Sequence, residues 1–464
     1  MGRRVAYLVC LCMLVIGMTA CKAGKTDGEA ARTDLAEETV EVYYLNLLGQ
    51  TAIGNMLNWY QESSTEGPEI EITVIQDMDQ FEKTVDKQGL PDLILIDKQH
   101  MDLMANPYQW IEKGAAADLT SLMANDESLD ISKYLGGVLE AGKADGTQYM
   151  IPLAVRSSYL LMQNDVKEKS ELAELSDEAT VQELLEALLK EYEKHAEESE
   201  YWTELRQFYT MGADQTMALY ELMEQIGALQ IDRNQKTVTV DKDLVELAIR
   251  YMRYQQAEAN EAMEQLAFWQ QGYETVSQAC TAFTSNGNAA FSLYYMGSAS
   301  EEICEKTMEI MPFPIQQTQN EYAVCVTMVG MIGAQSENQE AAYQVLRTLM
   351  DIPAEEWWSI FGGESLKETP VCRQTAYDLV ERFACEAGGK FSVYGDTVEQ
   401  QPLSEKQVQQ LKAMLDGIQK AYITDYEIYI RLGRDLASVW VDEDADIKGY
   451  ADLLQIEIKE YLDQ

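Results

Sequence analysis

Apolar and polar residues between positions 41 and 97 follow two kinds of pattern in turn. Glu69–Ile75 alternates, and Glu41–Leu45 is short and rich in Val and Tyr, so both predict β-strands. Asp92–Asp97 is apolar throughout its middle, which is typical of a strand buried on both faces. Between these strands, Ala52–Glu62 and Gln80–Gln88 have helical spacing. Strands that alternate with helices predict a parallel α/β sheet.

The middle of the chain continues with strand patterns and then becomes helical. Two strands are predicted close together, at Tyr149–Val155 and Ser158–Gln163. Thr180 and Glu183 have the spacing of a capping box, and an amphipathic helix follows them. Leu229–Asp241 has the pattern of a small β-hairpin.

Three further stretches toward the carboxyl terminus have the composition of strands. They are Ala289–Tyr295, Met308–Phe313 and Val324–Ile332. The last hundred residues are predicted to be helical, and the sequence contains no internal repeat.

The amino terminus has the three-part layout of a secretory signal peptide, predicted at residues 1–20. Arg3 and Arg4 precede an apolar run, Val5–Met18, which is shorter than the roughly 20 residues that a membrane-spanning helix needs. The stretch Met-Thr-Ala-Cys that ends at Cys21 resembles the lipobox of bacterial lipoproteins. That resemblance implies that Cys21 becomes the first mature residue and carries a lipid such as palmitate. An ordinary signal peptide followed by a cysteine is the alternative.

Residues 21–38 are rich in Gly, Ala, Lys, Thr, Asp and Glu and have no apolar period. A segment of this composition cannot bury enough apolar surface to fold by itself. We therefore expect a flexible tether between the anchor and the folded body.

Composition limits the classes of partner. The chain has 464 residues, of which 46% are hydrophobic, enough for two globular domains. Its formal net charge of −44 argues against nucleic acid, whose phosphates are bound through Lys and Arg. It also argues against adsorption to anionic lipid, so a lipid anchor would have to hold the protein at a membrane. The acidic residues are spread along the chain, which is typical of a solvated and soluble surface.

Metal and catalytic motifs are missing from the sequence. Only His100 and His195 are present, and the five cysteines beyond Cys21 have no CxxC spacing. The sequence contains no HExxH motif, GxSxG nucleophile elbow or phosphate-binding loop. We predict no catalytic residue, no metal site and no cofactor.

Several segments in order resemble one protein family. They are Gly89–Asp97, Gly114–Thr120, Asp145–Leu153, Phe283–Ala290, Ala334–Ala342 and the turn Thr369–Val371. In this order and spacing they resemble the bacterial extracellular solute-binding proteins of ABC importers, in the maltose- and oligosaccharide-binding branch. The resemblance extends from about Glu41 to the end of the chain.

The resemblance implies an α/β periplasmic-binding-protein-like fold of the class II type. Two lobes, each a mainly parallel sheet flanked by helices, would be joined by hinge crossings around a ligand cleft. Lobe 1 would comprise residues 39–154 and 315–365, and lobe 2 residues 155–314 and 366–464. The crossings are expected near Pro152–Ser157, Pro312–Gln316 and within Gly362–Pro370.

Polar residues at strand ends and at the hinge are the first candidates for ligand binding. Asn46 and Gln50 follow the first strand, and Asp97 and Lys98 end the third. Arg156 lies at the predicted hinge, where the family often has a polar ligand contact. The alternative roles are an interlobe salt bridge for Arg156 and a helix cap for Asp97.

Aromatic side chains matter because sugar rings pack their C–H faces on aromatic planes. The candidates are Trp269, Tyr294, Tyr295, Trp357 and Trp358. The sugar-binding branch of the family usually has Gly-x-Trp near this region, but here Gly297 and Ser298 are followed by Ala. We place Gly297 and Ser298 at the ligand. Either Tyr295 or a nearby tryptophan replaces the missing ring, or the ligand is not a sugar.

The sequence therefore predicts a monomeric, non-enzymatic receptor, lipid-anchored on the extracellular face of the cell membrane. It would capture a small polar solute, with a mono- or oligosaccharide as the leading candidate, and deliver it to ABC permease subunits. The alternative is a surface sensor or interaction lipoprotein of the same fold that docks on a receptor or another protein.

Overall fold

A computed structural model shows how most of the chain beyond residue 37 is arranged. The described residues are 38–46, 52–64, 67–101, 106–164, 168, 170–175, 179–195, 215–264, 282–305, 307–312, 321–361, 368–386, 388–393, 396–441 and 444–463. The predicted signal peptide, Cys21 and the predicted tether through residue 37 lie outside these residues, as do Gln50 and Trp269.

Strands and helices alternate over the first part of the chain, and helices dominate later. The strands are β1 Thr39–Leu45, β2 Glu69–Ile75, β3 Leu93–Asp97, β4 Lys143–Ala144, β5 Thr147–Gln148, β6 Met150–Gln163, β7 Leu229–Asp232, β8 Thr237–Val240, β9 Ala282–Gly287, β10 Met308–Pro312, β11 Tyr322–Ile332, β12 Thr369–Pro370, β13 Lys390–Val393, β14 Asp396–Glu399 and β15 Ile418–Tyr422. The helices are α1 Ala52–Ser63, α2 Met78–Gln88, α3 Lys98–Met101, α4 Pro107–Glu112, α5 Thr120–Asn125, α6 Val181–His195, α7 Gln215–Gln225, α8 Lys242–Glu264, α9 Ala289–Cys304, α10 Gln339–Met350, α11 Ala354–Phe361, α12 Arg373–Cys385, α13 Glu405–Asp416, α14 Tyr426–Val441 and α15 Ile447–Leu462.

A nine-stranded mixed sheet runs through the molecule, in the order β10-β6-β11-β3-β1-β2. In addition, β9 and β12 pair with β6, and β15 pairs with β11. The pairs β1–β2 and β1–β3 are parallel, which confirms the α/β prediction for this part of the chain. By contrast, β6 and β11 are antiparallel to each other, and β11 is antiparallel to β3.

Local sequence signals explain several element boundaries. Asp77 caps α2 by accepting a hydrogen bond from the Gln80 N–H at 3.1 Å, and Gly89 ends this helix at a φ of 81°. The predicted capping box before α6 is confirmed: the Glu183 N–H donates to the Thr180 hydroxyl at 3.2 Å, and the Thr180 N–H donates to the Glu183 carboxylate at 2.8 Å. The predicted hairpin is β7–β8.

Two strand predictions differ from the structure. The two strands predicted at residues 149–163 form one continuous strand, β6, of 14 residues, because partner strands flank it along its whole length. The strand predicted at Ala289–Tyr295 is wrong, since these residues begin α9. The Asn288 side chain accepts a hydrogen bond from the Phe291 N–H at 3.1 Å and so caps this helix.

The last hundred residues, which were predicted to be helical, also contain β13, β14 and β15 besides their helices.

The buried apolar residues form two main clusters, both within the compact unit of residues 36–464. The first core surrounds the sheet and is covered by α1 and α9–α13. The second core joins α6, α7, α8, α14, α15 and the β7–β8 hairpin. Residues 289–294 and 371–418 contribute to the first core although they were assigned to lobe 2. The lobe boundaries by residue number stay a prediction.

Candidate functional site

A buried ion pair joins the two cores where β3 ends. Lys98 begins α3, and its Nζ lies 2.7 Å from a carboxylate oxygen of Glu221 on α7. The same ammonium group donates to the Thr424 hydroxyl at 3.4 Å. The Lys98 and Glu221 side chains are only 6% and 12% exposed, so most of their hydration is replaced by these contacts.

Asp97 fulfils the capping role that the sequence offered as an alternative. Its carboxylate accepts a hydrogen bond from the His100 N–H at 3.1 Å and lies 2.7 Å from the His100 Nδ1 atom. These contacts fix the first turn of α3 and therefore the direction in which Lys98 leaves the sheet. A ligand contact for Asp97 stays a prediction.

Arg156 forms a salt bridge with Glu368, the residue just before β12. A second oxygen of Glu368 accepts from the hydroxyl of Thr327, which lies at an irregularity in the pairing of β11 with β6. Burial lowers the pKa of Arg156, but the Glu368 carboxylate outweighs burial, and the field of Glu221 acts in the same direction, so the pKa is raised. Arg156 is therefore a fixed cation near the Lys98–Glu221 pair.

A cavity of about 350 Å³ has in its lining Tyr220 and Asp425, the chain neighbours of Glu221 and Thr424. Its wall is formed by Tyr108 of α4, residues 137–143, α7, the β7–β8 turn and residues 419–428. Its polar lining includes Tyr108, Tyr220, Glu224, Arg233, Lys420 and Asp425. We call it the intercore cavity.

Arg233 and Asp425 hold one part of this wall together. The guanidinium carbon of Arg233 lies 3.5 Å from the centroid of the Tyr108 ring, and Arg233 forms an ion pair with Asp425. Asp425 also accepts hydrogen bonds from the Asn106 side chain and the Tyr461 hydroxyl, each at 3.1 Å. The wall is therefore a connected network that includes residues of both cores.

Each cation that lines the intercore cavity in the described part of the chain has a carboxylate neighbour. Besides the Arg233–Asp425 pair, Lys420 lies 3.2 Å from Glu224 and Lys143 lies 2.7 Å from Glu140. Burial raises the pKa of Glu224, although Lys420 opposes this effect. The cavity thus offers donors and acceptors side by side, an arrangement that suits a ligand with hydroxyl groups.

Two tyrosine hydroxyls add to this donor set. Burial raises the pKa of Tyr108 and raises that of Tyr220 well above its ordinary value, so both keep their hydroxyl hydrogen at neutral pH. The Tyr220 hydroxyl accepts the Asp425 N–H at 3.2 Å, which leaves its own hydrogen available for another acceptor.

Two of the tryptophans that were predicted to bind ligand, Trp357 and Trp358, pack elsewhere. Trp357 is 1% exposed and stacks on Phe361 with ring centroids 4.4 Å apart. Trp358 is half-buried, lies 5.1 Å from Phe383 between centroids, and is covered by the guanidinium of Arg382. Neither ring lines the intercore cavity, and their role at a ligand stays a prediction without support from this geometry.

Three other predicted ligand residues, Tyr295, Gly297 and Ser298, lie on α9. The Ser298 hydroxyl donates to the Tyr294 carbonyl at 2.6 Å and accepts the Gln401 N–H at 2.9 Å. Tyr295 packs on Phe291 with centroids 4.4 Å apart. None of the three lines the intercore cavity.

Asn46, at the end of β1, donates its N–H to the Ile75 carbonyl at 2.9 Å and does not line the cavity either. Of the predicted ligand residues that the structure describes, Asp97 and Arg156 are the two close to the Lys98–Glu221 pair. Asp97 precedes Lys98 in the chain, and Arg156 lies within the field of Glu221. Sequence reasoning missed Glu221, Arg233 and Asp425, because Glu221 and Arg233 belong to no motif. For Asp425, which accepts the Glu427 N–H at 2.9 Å, the only signal was that of a helix cap.

Comparison with known proteins now defines the family. Residues 55–351 match the family described as bacterial extracellular solute-binding protein. The chain belongs to this family. No curated protein is similar enough in sequence to match this solute-binding protein.

Solved structures with the same fold include three binding proteins. The sugar-binding protein MalE from Xanthomonas citri is 13% identical, with a TM-score of 0.58 over 92% of this chain and 97% of that chain. An ABC substrate-binding protein from Listeria monocytogenes in complex with cycloalternan is 13% identical, with a TM-score of 0.53 over 92% of this chain and 100% of that chain. The GacH receptor of Streptomyces glaucescens, solved unliganded and in complex with acarbose, is 15% identical, with a TM-score of 0.52 over 92% of this chain and 99% of that chain.

These neighbours confirm the predicted periplasmic-binding-protein-like, two-lobed fold. The family and the neighbours are binding proteins. Among the described residues, no helix combines the length and apolarity needed to cross a bilayer.

Proposed function

We propose that this solute-binding protein is a non-enzymatic lipoprotein that captures a carbohydrate between its two lobes and delivers it to an ABC permease. The observation that carries the ligand class is the intercore cavity, where tyrosine hydroxyls and charge pairs lie side by side. A sugar hydroxyl can donate to a carboxylate and accept from the neighbouring cation without separating the pair. The oligosaccharide-type ligands of the structural neighbours support the same class.

Lobe closure would bring these groups around the solute. The Lys98–Glu221 and Asn106–Asp425 contacts join the first core to the second and would form as the lobes approach. Closure around a polar solute excludes water and strengthens its hydrogen bonds with the protein. The closed form is the one that we expect permease subunits to recognise.

Thermal melting across a sugar panel tests ligand capture. The full chain, carrying Cys21→Ser to prevent lipid attachment, is melted with neutral mono- and oligosaccharides, and small-angle X-ray scattering measures closure. A sugar present at 100 times its Kd should stabilise the protein by about 2.7 kcal/mol. Lys113→Gln, in an exposed ion pair with Asp86, serves as a control variant that should show the same shift. No shift with any sugar and no closure would overturn the carbohydrate assignment and favour the sensor or docking alternative.

The membrane anchor has its own test. The lipobox-like stretch before Cys21 motivates it. Wild-type protein expressed in a bacterium should sediment with membranes and carry a lipid-modified amino-terminal cysteine by mass spectrometry, whereas Cys21→Ser should be released. Equal release of both proteins would contradict anchoring through Cys21.

A further inference from the structure

Arg233 lines the intercore cavity, and its side chain reaches from one core to the other. It lies in the β7–β8 turn, and β7 and β8 pack on the second core. Tyr108, whose ring its guanidinium covers at 3.5 Å, belongs to the first core. The Arg233 side chain therefore crosses between the cores, and it is only 15% exposed.

The position of Arg233 is fixed by its partner. Asp425 is 1% exposed and is held by hydrogen bonds from Asn106, Tyr461 and the Glu427 N–H. If Arg233 turned away, this carboxylate would lose its counter-charge inside the protein. Loss of one member of a buried pair is strongly destabilising, so a ligand gains little by displacing Arg233.

A fixed arginine at this place limits the room for a ligand in two ways. The cavity, at about 350 Å³, is near the lower end of the roughly 300–1,000 Å³ that small-molecule pockets span. In addition, Arg233 covers one face of the Tyr108 ring at stacking distance, so a sugar ring cannot pack its C–H face there.

We propose that Arg233 is a specificity-determining residue that restricts the intercore cavity to mono- and disaccharides. It occupies the space and the aromatic face that a longer oligosaccharide would use. This inference rests on the proposed function, because it concerns the length of the sugar that the same site accepts.

Isothermal titration calorimetry with sugars of increasing length tests the proposal. The probes are glucose, xylose and their linear β-1,4- and α-1,4-linked oligomers from two to five units. Wild type is compared with Arg233→Ala and with Arg233→Ala/Asp425→Asn, in which no buried carboxylate is left alone. Arg250→Ala removes an exposed arginine, paired with Glu193, and is the matched control.

Wild type and Arg250→Ala should bind a mono- or disaccharide at least tenfold more tightly than the trisaccharide of the same series. The double variant should lose this discrimination and bind the trisaccharide at least tenfold more tightly than wild type does. If wild type binds trisaccharides as well as disaccharides, or if the double variant keeps the wild-type length profile, the inference is overturned and the proposed function stands. If no sugar binds to any of the proteins, both are overturned.

Discussion

Removing one charge of the Lys98–Glu221 pair should separate the two cores without unfolding them. The Nζ–Oε1 distance is 2.7 Å, and at an effective dielectric constant of about 20 this corresponds to roughly 6 kcal/mol of Coulomb attraction before desolvation is subtracted. Breaking a buried pair by removing one partner costs about 3–5 kcal/mol, since the remaining charge stays buried. Lys98→Met and Glu221→Gln each impose this cost with little change in side-chain length.

The position of the pair determines how the molecule relieves that cost. Lys98 follows β3 of the first core, whereas Glu221 lies on α7 of the second core. Separation of the cores returns the remaining charge to water without unfolding either core. A cost of about 3 kcal/mol corresponds to roughly a hundredfold shift from the closed to the open form. The double variant, in which both charges are removed, should regain most of the closed form.

Small-angle X-ray scattering and urea unfolding separate the two responses. Each single variant should have a larger radius of gyration than wild type, with a smaller change in the urea midpoint than a 3–5 kcal/mol unfolding cost would give. The exposed pair Lys113–Asp86 provides control variants, Lys113→Met and Asp86→Asn, which should leave both measurements unchanged. Single variants as closed and as stable as wild type, or a double variant as open as the singles, would refute the reasoning.

Two further predictions concern glycines and acid stability. Gly330→Ala should lower the free energy of unfolding, measured in urea, by about 1–3 kcal/mol, because the new Cβ would lie 2.1 Å from Leu346 Cδ2. Gly297→Ala should instead raise the free energy of unfolding by up to about 1 kcal/mol. Gly297 lies in a helix, and the nearest atom to its new Cβ is 3.8 Å away. Unchanged sugar binding by Gly297→Ala would argue against the predicted ligand contact there. For Asp92, burial raises the pKa, but hydrogen bonds from Asn338, Ser336 and the Glu41 N–H outweigh burial and lower it. Its contribution is present above the unfolded pKa near 3.9 and is lost as pH falls through the lower folded value. Asp92→Asn should therefore lower the free energy of unfolding by about 1–3 kcal/mol at pH 7. In urea titrations, the difference in this free energy between the variant and wild type should become smaller below about pH 4. A difference that stays constant down to about pH 3 would contradict this.

The sequence was informative where structure depends on neighbouring residues. The parallel strands β1, β2 and β3 and the capped helix α6 were predicted because their periodicity and end signals are local. The start of α9 was misassigned because its aromatic and apolar residues resemble a strand, and the Asn288 cap was the competing signal. Tertiary packing of this helix on the first core decided the outcome.

The candidate site was harder to predict because its partners are distant in the chain. Arg156 and Glu368 are 212 residues apart, and Lys98 and Thr424 are 326 residues apart. Strand-end reasoning identified Lys98 and hinge reasoning identified Arg156, but no periodicity connects either with its partner. Arg233 is one of two cations in the hairpin turn, together with Lys236, and only the folded chain shows that it covers Tyr108.

The pairing of β6 with β11 has a consequence for how this chain tolerates length changes. Thr327 is skipped on β11 and Leu153 is skipped on β6, so that Val326 still faces Val155 on one side of the irregularity and Val329 faces Pro152 on the other. Each strand has one extra, unpaired residue, so the register is the same on both sides of the irregularity. Side chains of paired residues beyond it therefore again point to the same face of the sheet. A lone insertion in this ladder would instead turn every following side chain to the opposite side of the sheet. Natural variants that lengthen one of these strands by a residue should therefore carry a matching insertion in the other, within a few positions.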